Sequence, residues 1–321
     1  MSHSAPRLFA TAALVGLCGF AVSPASAQMP PDIAAKIAVL GRVVDPNATG
    51  AIYAPLQESE PYAGIKVVRD VKYGASERNV MDVFSAEGSA AGAASGPRPV
   101  LIFVHGGAYT RGEKRRPGSP FYDNIVLWAA RHGMVGANLE YRLAPQDPWP
   151  AAVEDMGAAV RFVADNSKIY GADPARIFLM GHSAGATHVA TYVAHKEFHG
   201  PNGSGLAGAI FSSGIYDVSK EEPTEARAAY FGADTSRYAE RSALPGLIDS
   251  ATPFMISSAE LDPPAQERQF NLLKDAMCKS ERGCIRSIVL PHHSHMSESY
   301  SINTADTQLS DQILEFMAKG R

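Results

Sequence analysis

The stretch RIFLMGHSAGATHVATYVAH, Arg176 to His195, decides the fold of this chain. Its first part is a short apolar run, typical of a strand buried on both faces, and its second part has apolar residues at helical spacing. Ser183 stands at the junction, with a glycine two residues away on each side. A strand that turns directly into a helix needs a sharp elbow, which holds its central residue in a strained conformation above the sheet. The pattern therefore favours a nucleophilic Ser183 over an ordinary polar helix cap.

The same alternation of strand and helix continues on both sides of this stretch. Further buried strands are predicted in VLIFVHGG, MVGANLEY, LAGAIFSSG, PFMISSAELD and RSIVLPHH, and helices in AAVEDMGAAVRFVADN and TQLSDQILEFMAKG. Two valine-rich segments, IKVVRDVKYG and NVMDVFSA, predict an antiparallel hairpin before them. We therefore expect an α/β fold, with a mostly parallel central sheet covered by helices on both faces.

The composition limits the classes of partner. The chain has 321 residues, of which 45% are hydrophobic and 19% charged, so it is long enough to bury a substantial core. Its formal net charge of −4 offers no basic field for nucleic acid or an anionic membrane. We expect a small-molecule substrate, and the oligomeric state is left open.

The first residues have the pattern of a secretory signal. Arg7 precedes the apolar run LFATAALVGLCGFAV, and the small residues Ala25–Ala27 follow where a signal peptidase cuts. The run is too short for a membrane span. We expect a signal peptide at 1–27 and one domain at 28–321, periplasmic or secreted, without a membrane anchor.

Cys18 lies within the predicted signal peptide, so two cysteines remain in the mature chain, and an oxidising compartment favours a disulfide between them. Cys278 and Cys284 lie in CKSERGC, and this close pair predicts a disulfide, with two unrelated thiols as the alternative. Two thiols are too few for an ordinary zinc site.

Two segments are predicted to cap the sheet. Residues 28–64 contain the helical pattern PDIAAKIAVLGRVV, and residues 217–251 are longer than an ordinary connection in such a fold. Open α/β sheets bind ligands at the carboxyl ends of their strands, so we expect both segments to lie there. The small-residue stretch at 87–99 predicts a loop.

HGGAY, residues 105–109, ends an earlier predicted strand. Successive glycines let the backbone bend close to a ligand and turn its N–H groups inward. Gly106, Gly107 and the N–H of Ala184 are therefore predicted to form an oxyanion hole, with a simple strand-ending turn as the alternative.

HGGAY, YRLAPQDPWPAAVEDM and GHSAG, in this order, resemble the α/β-hydrolase superfamily, and within it the serine carboxylesterases related to hormone-sensitive lipase. The resemblance runs from about Ile65 to the C-terminus. It implies ester hydrolysis through a serine–histidine–acid triad and an acyl-enzyme intermediate, with no metal or organic cofactor. Two positions depart from the family pattern: Ala108 replaces a third glycine, and His182 replaces an aspartate.

The acid of such a triad follows the serine in the chain and precedes the histidine. Asp262 stands just past the strand predicted in MISSAELDPP, where a carboxylate can hold an imidazole. Asp262 is therefore the predicted acid, and Glu260 and Asp217 are the alternatives.

The histidine is expected in the loop after the last strand, where LPHHSHMSESYS offers His292, His293 and His295. The family pattern aligns best through His295, with His293 as the alternative. Three clustered histidines also fit a metal site, but no further ligand is placed by spacing to complete one. We therefore predict no metal.

Other residues near these motifs are assigned to the pocket or to support. Tyr109 and His182 are predicted to line the substrate pocket, while His188, on the helix, is more typical of a surface residue. The family resemblance implies that Tyr141 and Arg142 brace a strand end by hydrogen bonds. Trp149, Tyr230 and Phe231 are expected to serve as pocket wall or core.

The predicted substrate is a short-chain or aromatic carboxylic ester. An amidase of the arylformamidase type, with the same triad, is the alternative enzyme, and a ligand-binding relative without catalysis is the remaining one.

Overall fold

A computed structural model describes Met1, residues 28–87 and residues 96–319. The predicted signal peptide, and most of the loop predicted at 87–99, lie outside these residues. The strands are β1 Ile65–Lys72, β2 Val80–Ala86, β3 Arg98–Val104, β4 Val135–Leu139, β5 Ala172–His182, β6 Gly208–Ser212, β7 Phe254–Leu261 and β8 Ser287–Ser294. The helices are α1 Pro31–Leu40, α2 Pro46–Tyr53, α3 Asp123–Arg131, α4 Ala151–Asp165, α5 Ser167–Tyr170, α6 Ala184–Ala194, α7 Glu225–Phe231, α8 Leu244–Ile248, α9 Pro264–Lys279, α10 Ser297–Tyr300 and α11 Gln308–Lys319.

The eight strands form one sheet in the order β1-β2-β4-β3-β5-β6-β7-β8. The pairs β1–β2 and β2–β4 are antiparallel, and the other pairs are parallel. The predicted hairpin and the mostly parallel sheet are thus confirmed.

Both faces of the sheet are covered, as its central strands require. Along β3, Val100, Ile102 and Val104 face a core that contains apolar residues of α4 and α6. Leu101 and Phe103 face the opposite core, which contains apolar residues of α3 and α11. Successive side chains of a strand point to opposite faces, so an uninterrupted apolar run must be buried on both.

The two predicted cap segments take different positions. Residues of α1 and α2, among them Ile37 and Tyr53, form a separate apolar cluster with Phe121, Met296 and Tyr300. The segment 217–251 contains α7 and α8, and its three aromatic residues are buried in the core on the α4 and α6 side, namely Tyr230, Phe231 and Tyr238. Both segments therefore pack close to the loops that follow the strands.

Two further features of the described residues are a disulfide and the absence of a membrane-spanning helix. Cys278, at the end of α9, is joined to Cys284 by a disulfide. Among the described helices, none is long and apolar enough to cross a membrane.

Candidate active site

Ser183 lies directly between β5 and α6, with φ 57° and ψ −124°. An L residue rarely adopts this conformation, which persists only where the surrounding structure fixes it. The backbone N–H of Ser183 donates to the carbonyl of Ser212 at 2.8 Å. A Cβ atom on Gly185 would lie 2.2 Å from the Val104 carbonyl oxygen, so only glycine permits this close approach of helix and strand. The elbow therefore presents the hydroxyl at the carboxyl end of the sheet.

The predicted oxyanion-hole residues lie near Ser183, either across a shared cavity or next to it in the chain. Gly106 and Gly107 follow β3 and line one cavity with Ser183. Gly107 has φ 139°, and a Cβ atom there would lie 1.8 Å from the Arg111 carbonyl oxygen. Ala184 begins α6, so its N–H has no acceptor within the helix and lies at the positive end of the helix dipole. This arrangement suits the binding of a developing negative charge.

The glycine loop is held by a buried polar network. The ring Nε2 of His105 lies 3.0 Å from Glu140 Oε1, and the hydroxyl of Tyr141 donates to the His105 carbonyl at 2.8 Å. Arg78 donates to Glu140 and, at 2.7 Å, to the carbonyl of Tyr141. Burial alone would raise the pKa of Glu140, but the hydrogen bond and charge of His105, with the charge of Arg78, lower it. Sequence reasoning missed Arg78 and Glu140, because no local pattern marks them.

Asp262 and His295 meet in the loops after β7 and β8. The ring Nδ1–H of His295 donates to Asp262 Oδ1 at 2.7 Å. The other carboxylate oxygen lies 2.6 Å from Ser213 Oγ and accepts from Ser258 Oγ at 2.7 Å and from the Ala259 N–H at 2.8 Å. Burial would raise the pKa of Asp262, but the hydrogen bond and charge of His295 lower it. Asp262 thus anchors the imidazole, and His295 lines the same cavity as Ser183.

The alternative triad residues lie elsewhere. Glu260 is exposed and accepts from the backbone N–H of His292 at 2.6 Å. His293 is buried, with its Nε2 3.0 Å from Asp306 Oδ2. Asp217 accepts from the backbone of a short 3-10 turn. The strand β8 runs to Ser294, so His292 and His293 lie within it, as the strand predicted in RSIVLPHH requires, and His295 follows it.

His182 supports the position of His295. Its Nε2–H donates to the His295 carbonyl at 2.8 Å, and the two ring centroids are 4.7 Å apart. Burial, and after it the charge of His295, lowers the pKa of His182 to about 3, so its ring is neutral at pH 7. His182 also lines the cavity.

The expectation that His188 is a surface residue is wrong. Its ring packs edge-on against the rings of Tyr109, Tyr141 and Tyr230 at 5.6, 5.1 and 4.8 Å. Every residue of α6 is buried, because the helix lies between the sheet and neighbouring helices and has no solvent face. Burial lowers the pKa of His188 to about 3.

Two cavities meet at Ser183. The larger has a volume of about 650 Å³ and extends under α2 and past the rings of Phe121, Tyr122 and Tyr300. The smaller, about 110 Å³, is lined by Tyr109 and Ile215 and by residues of the segment 217–251. Within residues 28–87 and 96–319, no group of three or more His, Cys, Asp or Glu side chains is placed to hold a metal ion.

Comparison with known proteins identifies relatives of this chain. The sequence model of the BD-FAE family matches residues 84–206. Esterase LipQ of Mycobacterium tuberculosis (strain ATCC 25618 / H37Rv) is 28% identical over 248 residues, which are 70% of this chain and 56% of LipQ. Probable isoprenylcysteine alpha-carbonyl methylesterase ICMEL1 of Arabidopsis thaliana is 34% identical over 139 residues, 43% of this chain and 27% of that protein. The chain thus spans about half the length of the first relative and about a quarter of the second.

Solved structures share the fold. Esterase B from Lactobacillus Rhamnosis (HN001) has a TM-score of 0.68 at 15% identity, covering 89% of this chain and 94% of that chain. The hyperthermophilic esterase from Pyrobaculum calidifontis has a TM-score of 0.59 at 18% identity, covering 90% and 98%. At these identities the likeness establishes the architecture alone.

Proposed function

We propose that this chain, which has the α/β-hydrolase fold, is a serine carboxylesterase that hydrolyses short-chain or aromatic carboxylic esters. The single observation that carries the proposal is the hydrogen bond from His295 to Asp262, with His295 lining one cavity together with the strained Ser183. The names of the relatives, esterases and a methylesterase, give it further support.

In the first half of the reaction, His295 Nε2 takes the proton of Ser183 as its Oγ attacks the ester carbonyl. Asp262 stabilises the imidazolium that forms. The carbonyl oxygen becomes negative and is bound by the N–H groups of Gly106, Gly107 and Ala184. The alcohol then leaves with the proton from His295, and the acyl group remains on Ser183.

In the second half, a water molecule enters and loses a proton to His295 as it attacks the acyl-enzyme. The same three N–H groups bind the oxyanion again. The carboxylic acid leaves, and Ser183 Oγ recovers its proton from His295. Bonds and protons balance with ester and water alone.

The cavities on the two sides of Ser183 support the choice of substrate class. The smaller volume, about 110 Å³, admits only a short group. The larger, about 650 Å³, has aromatic rings in its wall and accepts a bulkier partner, including an aromatic one. We therefore expect one side of the cleaved bond to be small.

The test of the nucleophile is Ser183→Ala. This variant should lose p-nitrophenyl acetate hydrolysis and covalent labelling by a fluorophosphonate probe, since no other hydroxyl stands at the elbow. Ser219→Ala, at an exposed turn, is the matched control and should keep both. Retained turnover in a correctly folded Ser183→Ala, judged by circular dichroism, would place the nucleophile elsewhere.

The substrate class is tested with esters from acetate to palmitate, a feruloyl ester and an N-formyl anilide. Short or feruloyl esters should give the highest kcat/KM. A higher value for the anilide would instead identify an amidase, and palmitate as the best substrate would contradict the proposed pocket.

A further inference from the structure

Glu298 is a fully buried carboxyl group that the reaction described above does not use. It lies in α10, three residues after the triad histidine. Its Oε2 lies 2.5 Å from Ser213 Oγ, and the same serine oxygen lies 2.6 Å from Asp262 Oδ2. Its Oε1 is hydrogen-bonded to Ser257, whose hydroxyl is 2.9 Å from that of Ser212. A single serine hydroxyl therefore joins Glu298 to the triad acid.

The protons of this series of hydrogen-bonded side chains can be counted. A serine hydroxyl has one proton to donate, and Ser213 faces two carboxyl oxygens. If Glu298 and Asp262 are both ionised, Ser213 can serve only one of them, and its oxygen faces the other without a hydrogen between. An ionised oxygen buried without a donor is costly. One of the two carboxyl groups must therefore carry a proton, so that every oxygen in the series faces a hydrogen.

A proton on Glu298 Oε2 satisfies every contact. Glu298 then donates to Ser213, and Ser213 donates to Asp262. On the other side, Ser257 donates to Glu298 Oε1, and the Ser257 oxygen lies 2.9 Å from the hydroxyl of Ser212. Ser257 and Ser213 each give one hydrogen bond, and this hydrogen-bond series runs in one direction, from Ser257 through Glu298 and Ser213 to the proposed triad acid.

The backbone of Ser213 supports this arrangement. Its φ is 54°, a conformation unusual for a serine, and its N–H donates to the Ser257 carbonyl at 2.9 Å. Strain of this kind persists where surrounding contacts fix it, and it is common at functional sites.

We propose that Glu298 is a positioning residue, held as the neutral acid, which directs the hydroxyl of Ser213 onto Asp262 and so fixes the triad carboxylate. This inference rests on the proposed role of Asp262. Glu298 touches neither the nucleophile nor the substrate cavity and acts through Ser213.

The electrostatics agree with the geometry. Burial, and after it the negative charge of Asp262, raises the pKa of Glu298 to about 8, against the opposing effect of its serine hydrogen bonds. The titratable groups that face this cluster are Asp262, His295 on the far side of Asp262, and Tyr216. Burial raises the pKa of Tyr216, and the negative charges of Glu298 and Asp262 raise it further. Among the described residues, no lysine or arginine contributes to the pKa of Glu298. Ionisation of Glu298 above this pH would withdraw Ser213 from Asp262 and place a second negative charge beside it.

The decisive variant is Glu298→Gln. A glutamine amide has the same donor and acceptor pattern as the neutral acid, since its NH₂ can donate to Ser213 and its oxygen can accept from Ser257. At pH 7 it should keep kcat/KM for p-nitrophenyl acetate within about threefold of wild type, because the proton chain is preserved. Ser213→Ala breaks the chain and should lower kcat about tenfold or more, with little change in KM, since a misplaced triad affects the chemical step.

The pH profile separates this role from a merely structural one. The wild-type kcat/KM should fall as the pH rises through about 8, whereas Glu298→Gln should stay level to higher pH, because an amide does not ionise. A tenfold or larger loss in folded Glu298→Gln, or an identical alkaline limb in the two proteins, would overturn the inference.

A readout independent of activity is the infrared carbonyl band of a protonated carboxylic acid. The difference between wild type and Glu298→Gln at pH 7 should contain this band, and titration to pH 9 should remove it from wild type. Glu281→Gln, at an exposed glutamate, should remove no such band. If the wild-type protein has a carboxylate band at pH 7 in its place, Glu298 is not a neutral acid and the inference is refuted. The wild-type titration by itself decides the protonation state of Glu298, so this test holds even if Glu298→Gln fails to fold. Absent esterase activity in wild type would refute the proposed function and leave the infrared result to stand separately.

Discussion

The hydroxyl of Ser183 is presented by a backbone conformation that few residues adopt, and each partner proposed for it is fixed in turn by buried contacts. His295 is held from two sides, by the carboxylate of Asp262 and by the ring of His182 at its backbone carbonyl. Asp262 in turn lies among three further donors besides the imidazole. Preorganisation of this kind lets the site stabilise charge without rearranging during the reaction.

The choice of the acid is tested by Asp262→Asn. Loss of the negative charge removes the group that holds and stabilises the imidazolium, so kcat should fall on the order of 10³–10⁴-fold. Glu260→Gln, two residues away but exposed, is the matched control and should stay within about twofold of wild type, as surface substitutions usually do. Steady-state kinetics on p-nitrophenyl acetate compares them, and the reverse order would make Glu260 the acid.

A second residue-scale prediction concerns His188 and folding stability. Its pKa is about 3 in the folded protein, below the ordinary value of 6.5, so the unfolded chain binds its proton first as the pH falls. The contribution of the neutral ring is therefore complete above pH 6.5 and is lost between pH 6.5 and 3, by about 1.4 kcal/mol per pH unit.

His188→Phe should remove this part of the pH dependence. Neither ring nitrogen of His188 has a hydrogen-bond partner among the described residues, so phenylalanine costs no polar contact. Denaturant unfolding at pH 7 and pH 5 measures the difference, with exposed His292→Gln as the control. An equal loss of stability on acidification in wild type and His188→Phe would contradict the assignment.

At the scale of elements, the site is assembled where parallel strands end. The glycine loop after β3, the elbow after β5 and the acid and histidine after β7 and β8 all meet at the carboxyl edge of the sheet. Parallel order makes this unavoidable, because every strand of the parallel part ends at the same edge. The segments 28–64 and 217–251 then complete the two cavities from either side.

Gly107→Ala tests the loop after β3. The added Cβ atom would clash with the Arg111 carbonyl oxygen and would require a φ that alanine rarely adopts, so the loop must move. Loss of one aligned oxyanion donor should lower kcat about 10²–10³-fold. Gly96→Ala, where a Cβ atom meets nothing within 4 Å, should leave kcat unchanged. Normal kinetics in Gly107→Ala would exclude this loop from the oxyanion hole.

At the scale of the whole molecule, one sheet carries two cores, and the site lies above the sheet rather than within either core. The polar chain from Ser212 to Asp262 is buried where β6 and β7 end, so the site and the fold share contacts there. The disulfide closes a turn between α9 and β8 and stands apart from the site. We further propose, from the N-terminal pattern, that the mature protein is exported.

The disulfide gives the prediction at this scale. Thiol labelling of the mature protein, which lacks residues 1–27 and with them Cys18, should find no reactive cysteine without reductant. The double variant Cys278→Ser with Cys284→Ser should lose about 2 kcal/mol of unfolding free energy, from the entropy that a short loop removes from the unfolded chain. Its kcat/KM should stay at the wild-type value, because the bond lies outside both cavities. Two labelled thiols in the native protein would refute the bond.

The sequence by itself determined what local patterns encode. The apolar runs, the helical spacing and the glycines around Ser183 predicted the parallel sheet, the elbow and the glycine loop, because backbone geometry and burial on two faces act over a few residues. The BD-FAE family model matches residues 84–206, and the solved esterases share the fold that these motifs predicted.

Only the tertiary structure decided which distant side chains meet. It placed Asp262 rather than Glu260 against His295, buried His188, and joined Glu298 to Asp262 through Ser213. Such contacts join residues tens of positions apart, and no periodicity in the chain records them. The free energy of ionising a buried carboxyl or imidazole group depends on the hydrogen-bond donors and charges that folding brings close to it. Those donors and charges belong to residues that are distant in the sequence.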